Sequence, residues 1–113
     1  MNNRFAEGIA AFNSARYYDA HEAWEDVWRE ATSAERLWLQ GLVQAAVALH
    51  HASTGNHIGA KSVLARAIKN LVGCPNDLRG INVDDLRVKL EKSQEQLLAG
   101  SSVLPFTIRF AST

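Results

Sequence analysis

The segment HEAWEDVW at residues 21–28 places an imidazole, His21, and a carboxylate, Glu25, four residues apart. On a helix, with about 100° of rotation per residue, His21 shares a face with Trp24 and Trp28, Glu25 lies on the margin of that face, and Glu22 turns toward water. An imidazole beside a carboxylate can form a hydrogen bond, transfer a proton or bind a metal ion. A buried polar group without a partner costs about 1–3 kcal/mol, so the fold must supply partners for this pair. The spacing therefore predicts a polar site at the edge of the core.

A second polar line lies in the segment from Ala34 to about His51, which is otherwise apolar nearly all round. Such a helix is expected in the middle of the molecule, between other helices. Gln40, Gln44 and His51 follow one stripe of it at offsets of four and seven, with Val47 between them. Because polar groups that converge on aromatic walls are typical of binding sites, we predict a polar cleft between the second and third helices. Its predicted members are His21, Glu25, Trp28, Gln40, Gln44 and His51, and its walls are Trp24, Trp28 and Trp38.

The chemistry of this cleft has more than one interpretation. The motif H-E-x-x-E differs by one residue from the H-E-x-x-H of zinc proteases. His21 and Glu25 could be two metal ligands, with a third ligand from His50, His51 or His57, and Glu22 or Glu25 could activate water for hydrolysis. Against this, Glu22 turns away from the ligand face. The competing interpretation is a structural network in which His21 and Glu25 bond to each other and to the amides of Gln40 and Gln44.

Several blocks of sequence resemble one family of small helical proteins. These blocks are Phe12-Asn13, the run YYDAHEAWE at residues 17–25 with Trp28, the run LQGLVQAAV at residues 39–47, and Gly55-Asn56 before Gly59-Ala60. Over residues 5 to 72 the chain resembles the bacterial and archaeal family catalogued as domain of unknown function 309. The resemblance implies a helical bundle with His21, Glu25, Trp28, Gln40 and Gln44 at signature positions. A label of predicted metal-dependent hydrolase has been attached to this family, but the resemblance itself supplies no reaction.

Apolar spacing and capping residues predict five helices in a single all-α domain, residues 1–113. Two antiparallel helix hairpins, loosely similar to tetratricopeptide repeats, would be followed by a capping helix and an extended tail over residues 101–113. Ala20 and Ala60 mark an internal echo at a separation of forty residues, and Thr32 with Glu35 has the spacing of a capping box. The predicted helices cover about residues 3–14, 17–30, 34–51 and 57–72, and the fifth runs from Asn82 to Gly100. Asn2 or Asn3 is the predicted cap of the first helix, the loop that ends at Asn56 supplies a cap for the fourth, and Asn82 caps the fifth.

Composition limits the classes of function. Lys plus Arg equals Asp plus Glu at 12 each, and a chain without a basic cluster is not expected to bind nucleic acid. No secretory signal or membrane-spanning run is evident, and the lone Cys74 excludes an internal disulfide. We therefore expect a soluble, cytoplasmic protein with no membrane partner.

Function at this stage is a hypothesis with two classes. The first is a binding or interaction module for a small molecule or a protein, and the second is a metal-dependent hydrolase that uses His21 and Glu25; whether the chain is an enzyme is left open. No cofactor is assured, although a divalent metal fits the second class. A homodimer is also possible if the aromatic tail, with Phe106, Ile108 and Phe110, crosses to a neighbour instead of packing on its own core.

Overall fold

Five helices account for most of the chain in the computed structural model, which describes residues 3–111. In chain order they are α1 (Arg4–Asn13), α2 (Tyr17–Glu30), α3 (Ser33–Ser53), α4 (His57–Asn70) and α5 (Val83–Leu98), with a 3-10 turn at Leu78–Gly80. Each helix packs against the next one along the chain. Connections of about three residues join α1 to α2 and α3 to α4, so these pairs are helix hairpins. The predicted all-α class with five helices is confirmed.

The helix starts follow local side-chain chemistry. Asn3, Asn56 and Asn82 each accept a hydrogen bond from the backbone N–H three residues later, at 3.0–3.1 Å. Such caps satisfy donors that have no partner within the helix. Asn2, the other predicted cap of α1, lies outside the described residues. The caps at Asn56 and Asn82 were predicted and are confirmed.

The predicted capping box at the start of α3 is wrong. Thr32 makes no side-chain bond to the helix, and the Glu35 carboxylate is instead bonded to the guanidinium of Arg79, at 3.0 and 3.2 Å. A charge-assisted pair with two parallel bonds is stronger than a neutral capping bond. Glu35 therefore pairs with Arg79 instead of forming the predicted capping box with Thr32.

The side of α2 that faces α1 is buried and closely packed. Trp24 is fully buried, and its indole N–H donates to the carbonyl oxygen of Phe5 at 3.2 Å. Its ring also lies against Phe12, with centroids 5.7 Å apart. A Cβ built on Gly8 would overlap the Trp24 indole, so the approach of α1 to α2 requires glycine there.

The central position predicted for α3 is confirmed, since α2 packs on one side of it and α4 on another. Gly41 allows α4 to come close, because a Cβ at that position would lie 2.9 Å from Cγ of Leu71. Although α3 has 21 residues, neither it nor another helix within residues 3–111 is long and apolar enough to cross a membrane.

The extended tail packs on its own chain. The Asn13 carboxamide donates to the carbonyl oxygen of Ile108 at 3.2 Å and accepts from its N–H at 2.7 Å. The rings of Phe106 and Phe12 are 5.4 Å apart, and an isolated antiparallel bridge joins Ile81 to Phe110. Ile108 is buried, whereas Phe110 is exposed. Of the two packing modes considered for the tail, the structure therefore has the intramolecular one for the residues up to 111; residues 112 and 113 lie outside the described part.

Candidate functional site

The predicted pair on α2 is formed. Nε2 of His21 lies 2.8 Å from a carboxylate oxygen of Glu25, and the two side chains are 25% and 32% exposed. The other carboxylate oxygen of Glu25 lies 2.8 Å from the guanidinium of Arg29. Glu22 is exposed, as predicted. The pair thus lies at the margin of the core, open to solvent, instead of inside it.

Two histidines flank one tyrosine between α2 and α3, and a third lies beside one of them. The ring of Tyr18 lies 5.7 Å from the rings of both His21 and His50, measured between centroids, and the rings of His50 and His51 are 6.3 Å apart. Together with Val47 these side chains line a pocket of about 240 Å³, which we call the imidazole pocket; its residues are Tyr18, His21, Val47, His50 and His51. It combines flat ring faces with nitrogen atoms that can donate or accept.

The polar contacts of the imidazoles constrain their tautomers. Because the Glu25 carboxylate only accepts, the Nε2 of His21 is the nitrogen that carries the proton in that contact. The Nδ1 of His51 lies 3.4 Å from the amide nitrogen of Asn56, which can only donate, so that nitrogen is the acceptor and Nε2 of His51 is left as a donor. The pocket consequently offers at least one N–H donor that is not used within it.

A second groove lies on the other side of Tyr18 and His21. It has a volume of about 290 Å³, and we call it the charged groove; its lining is Arg4, Tyr18, His21, Glu22, Glu25, Asp26 and Arg29. Arg4 donates to Asp26 at 2.9 Å and to Glu7 at 2.6 Å, and these hydrogen bonds raise the pKa of its guanidinium further. Arg29 likewise bonds to Asp26 at 3.0 Å. Opposite charges in this groove therefore compensate one another, whereas none of the residues lining the imidazole pocket is a carboxylate.

The two glutamines of α3 do not complete the network that was predicted around His21. The carboxamide oxygen of Gln44 accepts from the amide nitrogen of Asn70 on α4 at 2.6 Å, so the predicted bond from Gln44 to the pair on α2 is wrong. Gln40 is half-buried on α3 and is not among the residues that line the imidazole pocket. An apolar helix has no unique outward face, and a side chain at its edge bonds to whichever neighbour offers a partner. His51 is the member of that stripe that reaches the pocket.

The three tryptophans do not wall a common cleft. Trp24 faces α1 and is fully buried, while Trp38 is half-buried against the core. Trp28 is also half-buried, with the guanidinium of Arg36 stacked 4.3 Å from its ring centroid. Its indole N–H is buried and has no hydrogen-bond partner within the described chain.

The third ligand that a metal site requires is not assembled beside His21 and Glu25. His50 and His51 lie around Tyr18, and His57 lines a separate groove next to Pro105. Across residues 3–111 the structure has no group of three His, Cys, Asp or Glu side chains placed to hold a metal ion. In the geometry seen here the two predicted ligands bond directly to each other.

Cys74 is a structural thiol, as its position at the end of α4 suggested. It is buried, and burial raises its pKa to about 11. A thiol with a raised pKa is a poor nucleophile at neutral pH.

The predicted cleft left out Tyr18, which we interpreted as a packing residue, and His50, which we considered as a third metal ligand but otherwise took for a surface residue. Tyr18 precedes His21 by three residues, and His50 follows Val47 by three, so each pair lies on one helix face. A search for aromatic and imidazole side chains at that spacing could have found them. Val47 and His51 of the predicted stripe line the pocket, together with His50, which lies beside that stripe.

A comparison with known protein families matches the part of the chain that contains the imidazole pocket. A family model described as a domain of unknown function, DUF309, matches residues 5–63. That segment includes all five residues of the imidazole pocket and stops before α5 and the tail.

Two uncharacterized proteins are similar to the chain. One, from Aquifex aeolicus (strain VF5), is 36% identical over 87 residues, which are 76% of this chain and 26% of that protein. The other, the uncharacterized protein YpuF of Bacillus subtilis (strain 168), is 34% identical over 70 residues, which are 59% of this chain and 40% of that protein. The chain thus spans about a quarter of the first and two fifths of the second.

Proposed function

The chain belongs to the DUF309 family of domains of unknown function, and on that premise we propose that it is a binding module whose ligand enters the imidazole pocket. The observation that carries the proposal is that His21 and His50 flank the exposed ring of Tyr18 and that His51, beside His50, lines the same pocket. Each imidazole has two polar nitrogens that need hydrogen-bond partners, and a ligand in the pocket can supply them. Several such rings around a half-open apolar floor are suited to a ligand.

The pocket also has the position expected of a binding site. It lies between two helices that are held by the buried core, and sites between packed helices are common in bundles. Tyr18 is 54% exposed, so the pocket can be reached without unfolding α2. The five residues that line it lie within the matched family segment, which supports a role shared with the relatives.

A metal-dependent hydrolase that uses His21 and Glu25 is the competing proposal. It would require a divalent ion to replace the hydrogen bond between Nε2 of His21 and Glu25, which is 2.8 Å long, and to recruit a third ligand from outside the pair. The binding proposal needs no such rearrangement, and we favour it for that reason. Zinc and manganese are nevertheless included in the test below, where they can succeed or fail as ligands.

The cellular location and the class of partner are inferred from the cysteine, the volume of the pocket and the charge balance. We infer a cytoplasmic protein from the lone, structural Cys74, since reduced thiols persist in that compartment. A small molecule fits a pocket of about 240 Å³ better than a protein segment does. The even charge balance supports neither nucleic acid nor an anionic membrane as partner.

The proposal is tested by titrating the full chain with a chemically mixed set of small acids, amines and heterocycles, and separately with Zn²⁺ and Mn²⁺. Two-dimensional NMR reports which backbone and imidazole signals move. We expect shifts centred on Tyr18 and His50 that disappear in Tyr18→Ala. Ile58→Ala, which alters a side chain that is 84% exposed on α4, is the matched control and should respond like the unaltered protein. Shifts confined to another surface, or no shifts from any compound or ion, would contradict the binding proposal.

A further inference from the structure

We propose that the imidazole pocket takes a small planar aromatic acid, with the ring of the ligand beside Tyr18 and its carboxylate on the histidines of α3. This inference rests on the proposed function, because it names the ligand class of the same site. It adds two requirements for the ligand. One is a flat apolar body, which is its ring system, and the other is a negative edge, which is its carboxylate.

The flat body follows from the shape and surface of the pocket. Four of its five lining residues are planar rings, and the fifth, Val47, supplies an aliphatic floor. The centroids of these rings lie 5.7–6.3 Å from one another, which is contact distance, so a ligand would lie against the exposed edges and faces of the rings and not between them. Aromatic pairs gain about 0.5–1.5 kcal/mol beyond burial when they stack offset or meet edge to face. A cavity of about 240 Å³ is large enough for one or two fused rings.

The negative edge follows from the charges around the pocket. The side chains that line it include no carboxylate, so an anion placed there meets imidazole nitrogens and no like charge. Nε2 of His51 is a donor because Asn56 donates to the other nitrogen, and His50 lies beside it on α3. An anion placed here would accept a hydrogen bond from Nε2 of His51 and from an N–H of His50.

The neighbouring carboxylates do not oppose an anion strongly, because most already have cationic partners. On α2, Glu25 is paired with Arg29 and with His21 at 2.8 Å each, and Asp26 is paired with both Arg4 and Arg29. Glu22 is exposed on the far side of Tyr18, in the charged groove. From the start of α4, the neutral Asn56 is the group that approaches His51. The imidazole pocket is therefore the less negative of the two cavities that share Tyr18 and His21.

These requirements predict a ligand preference. Naphthoate has a planar body and a negative edge, naphthamide lacks the charge, and cyclohexanecarboxylate lacks the aromatic ring. We expect naphthoate to bind about tenfold more tightly than either analogue, which corresponds to about 1.4 kcal/mol.

The experiment measures all three compounds by isothermal titration calorimetry on the full chain, with imidazole NMR to locate the site. His50→Gln should weaken naphthoate about tenfold. His57→Gln, on the exposed start of α4 and outside the pocket, is the matched control and should leave the affinity unchanged. Circular dichroism checks that both variants are folded, and Tyr18→Leu provides a second variant that removes the aromatic face.

Each contrary result tests a different part of the inference. Equal affinity for naphthamide would overturn the charge requirement, and equal affinity for cyclohexanecarboxylate would overturn the aromatic one. If amines, neutral heterocycles or Zn²⁺ shift the pocket signals while naphthoate does not, the ligand class is wrong and the binding module stands. If naphthoate binds with unchanged affinity to both His50→Gln and Tyr18→Leu, its site is elsewhere and this inference fails.

Discussion

The two sides of α2 differ in what their aromatic and polar residues do, although those residues alternate along one short segment. Toward α1, on what we call the sealed side, Tyr17 and Trp24 are buried among phenylalanines. Toward solvent and α3, on the open side, Tyr18, His21 and Glu25 remain half-exposed or exposed. Because a helix turns about 100° per residue, Tyr17 and Tyr18 point in directions about 100° apart, and the same rotation separates Trp24 from Glu25.

This difference separates stability from recognition within a single motif. A residue on the sealed side makes contacts that water cannot replace, so its loss leaves a cavity. A residue on the open side exchanges protein contacts for solvent at little cost. The comparison therefore predicts large stability effects and small ligand effects for one set of substitutions, and the reverse for the other.

The largest expected effect is that of Trp24→Ala. It removes the largest fully buried side chain and the bond from its indole N–H to the Phe5 carbonyl oxygen. We expect a loss of about 3–5 kcal/mol in the free energy of unfolding, measured by urea denaturation. Trp24→Phe keeps most of the ring and should lose less, and it gives a folded variant if the alanine form does not fold. A loss as small as that of Tyr18→Ala would erase the distinction between the two sides.

Gly8→Ala tests the same side by adding atoms instead of removing them. The new methyl group would overlap the Trp24 indole, so α1 and α2 must separate or the indole must leave its rotamer. Overpacking of this kind costs about 1–3 kcal/mol, and thermal unfolding measures it. The matched control is Gly59→Ala, where the flexible Asn56 side chain is the nearest group; a larger loss there than at Gly8 would contradict the sealed packing.

The sequence predicted contacts within one helix but not the partners that lie on other helices. The bond between His21 and Glu25 was predictable, since an offset of four within one helix sets the distance. The helix spans were predictable from apolar spacing and from caps such as Asn82. Partners on other helices were not: Glu35 pairs with Arg79, 44 residues away, and Gln44 bonds to α4. The apolar periodicity of α3 is too uniform to say which edge meets which neighbour.

Glu25→Gln tests the open side, where the stability effect should be small. The change removes the charge that faces His21 and Arg29, whose side chains are 25% and 61% exposed. Ion pairs at such positions contribute about 0–1 kcal/mol, so urea denaturation should shift slightly. Arg4→Gln is an informative control, because Arg4 bridges α1 to α2 through Asp26. A loss from Glu25→Gln as large as that from Gly8→Ala would mean that the open side also holds the fold together.

The smallest expected effect separates the adjacent tyrosines by titration. Burial raises the pKa of Tyr17 above its ordinary value of 10.0. In Tyr18→Phe it is the one tyrosine left in the chain, so ultraviolet absorbance of the phenolate should appear at a higher pH in the folded protein than in urea. Below pH 10 both states hold the proton and the stability contribution is complete. As the pH rises above 10 the unfolded state ionises first, so this contribution is lost progressively until the folded pKa is passed. If the phenolate of Tyr17 appeared at the same pH in the folded and the unfolded protein, Tyr17 would be in contact with water. The sealed side of α2 would then not differ from the open side.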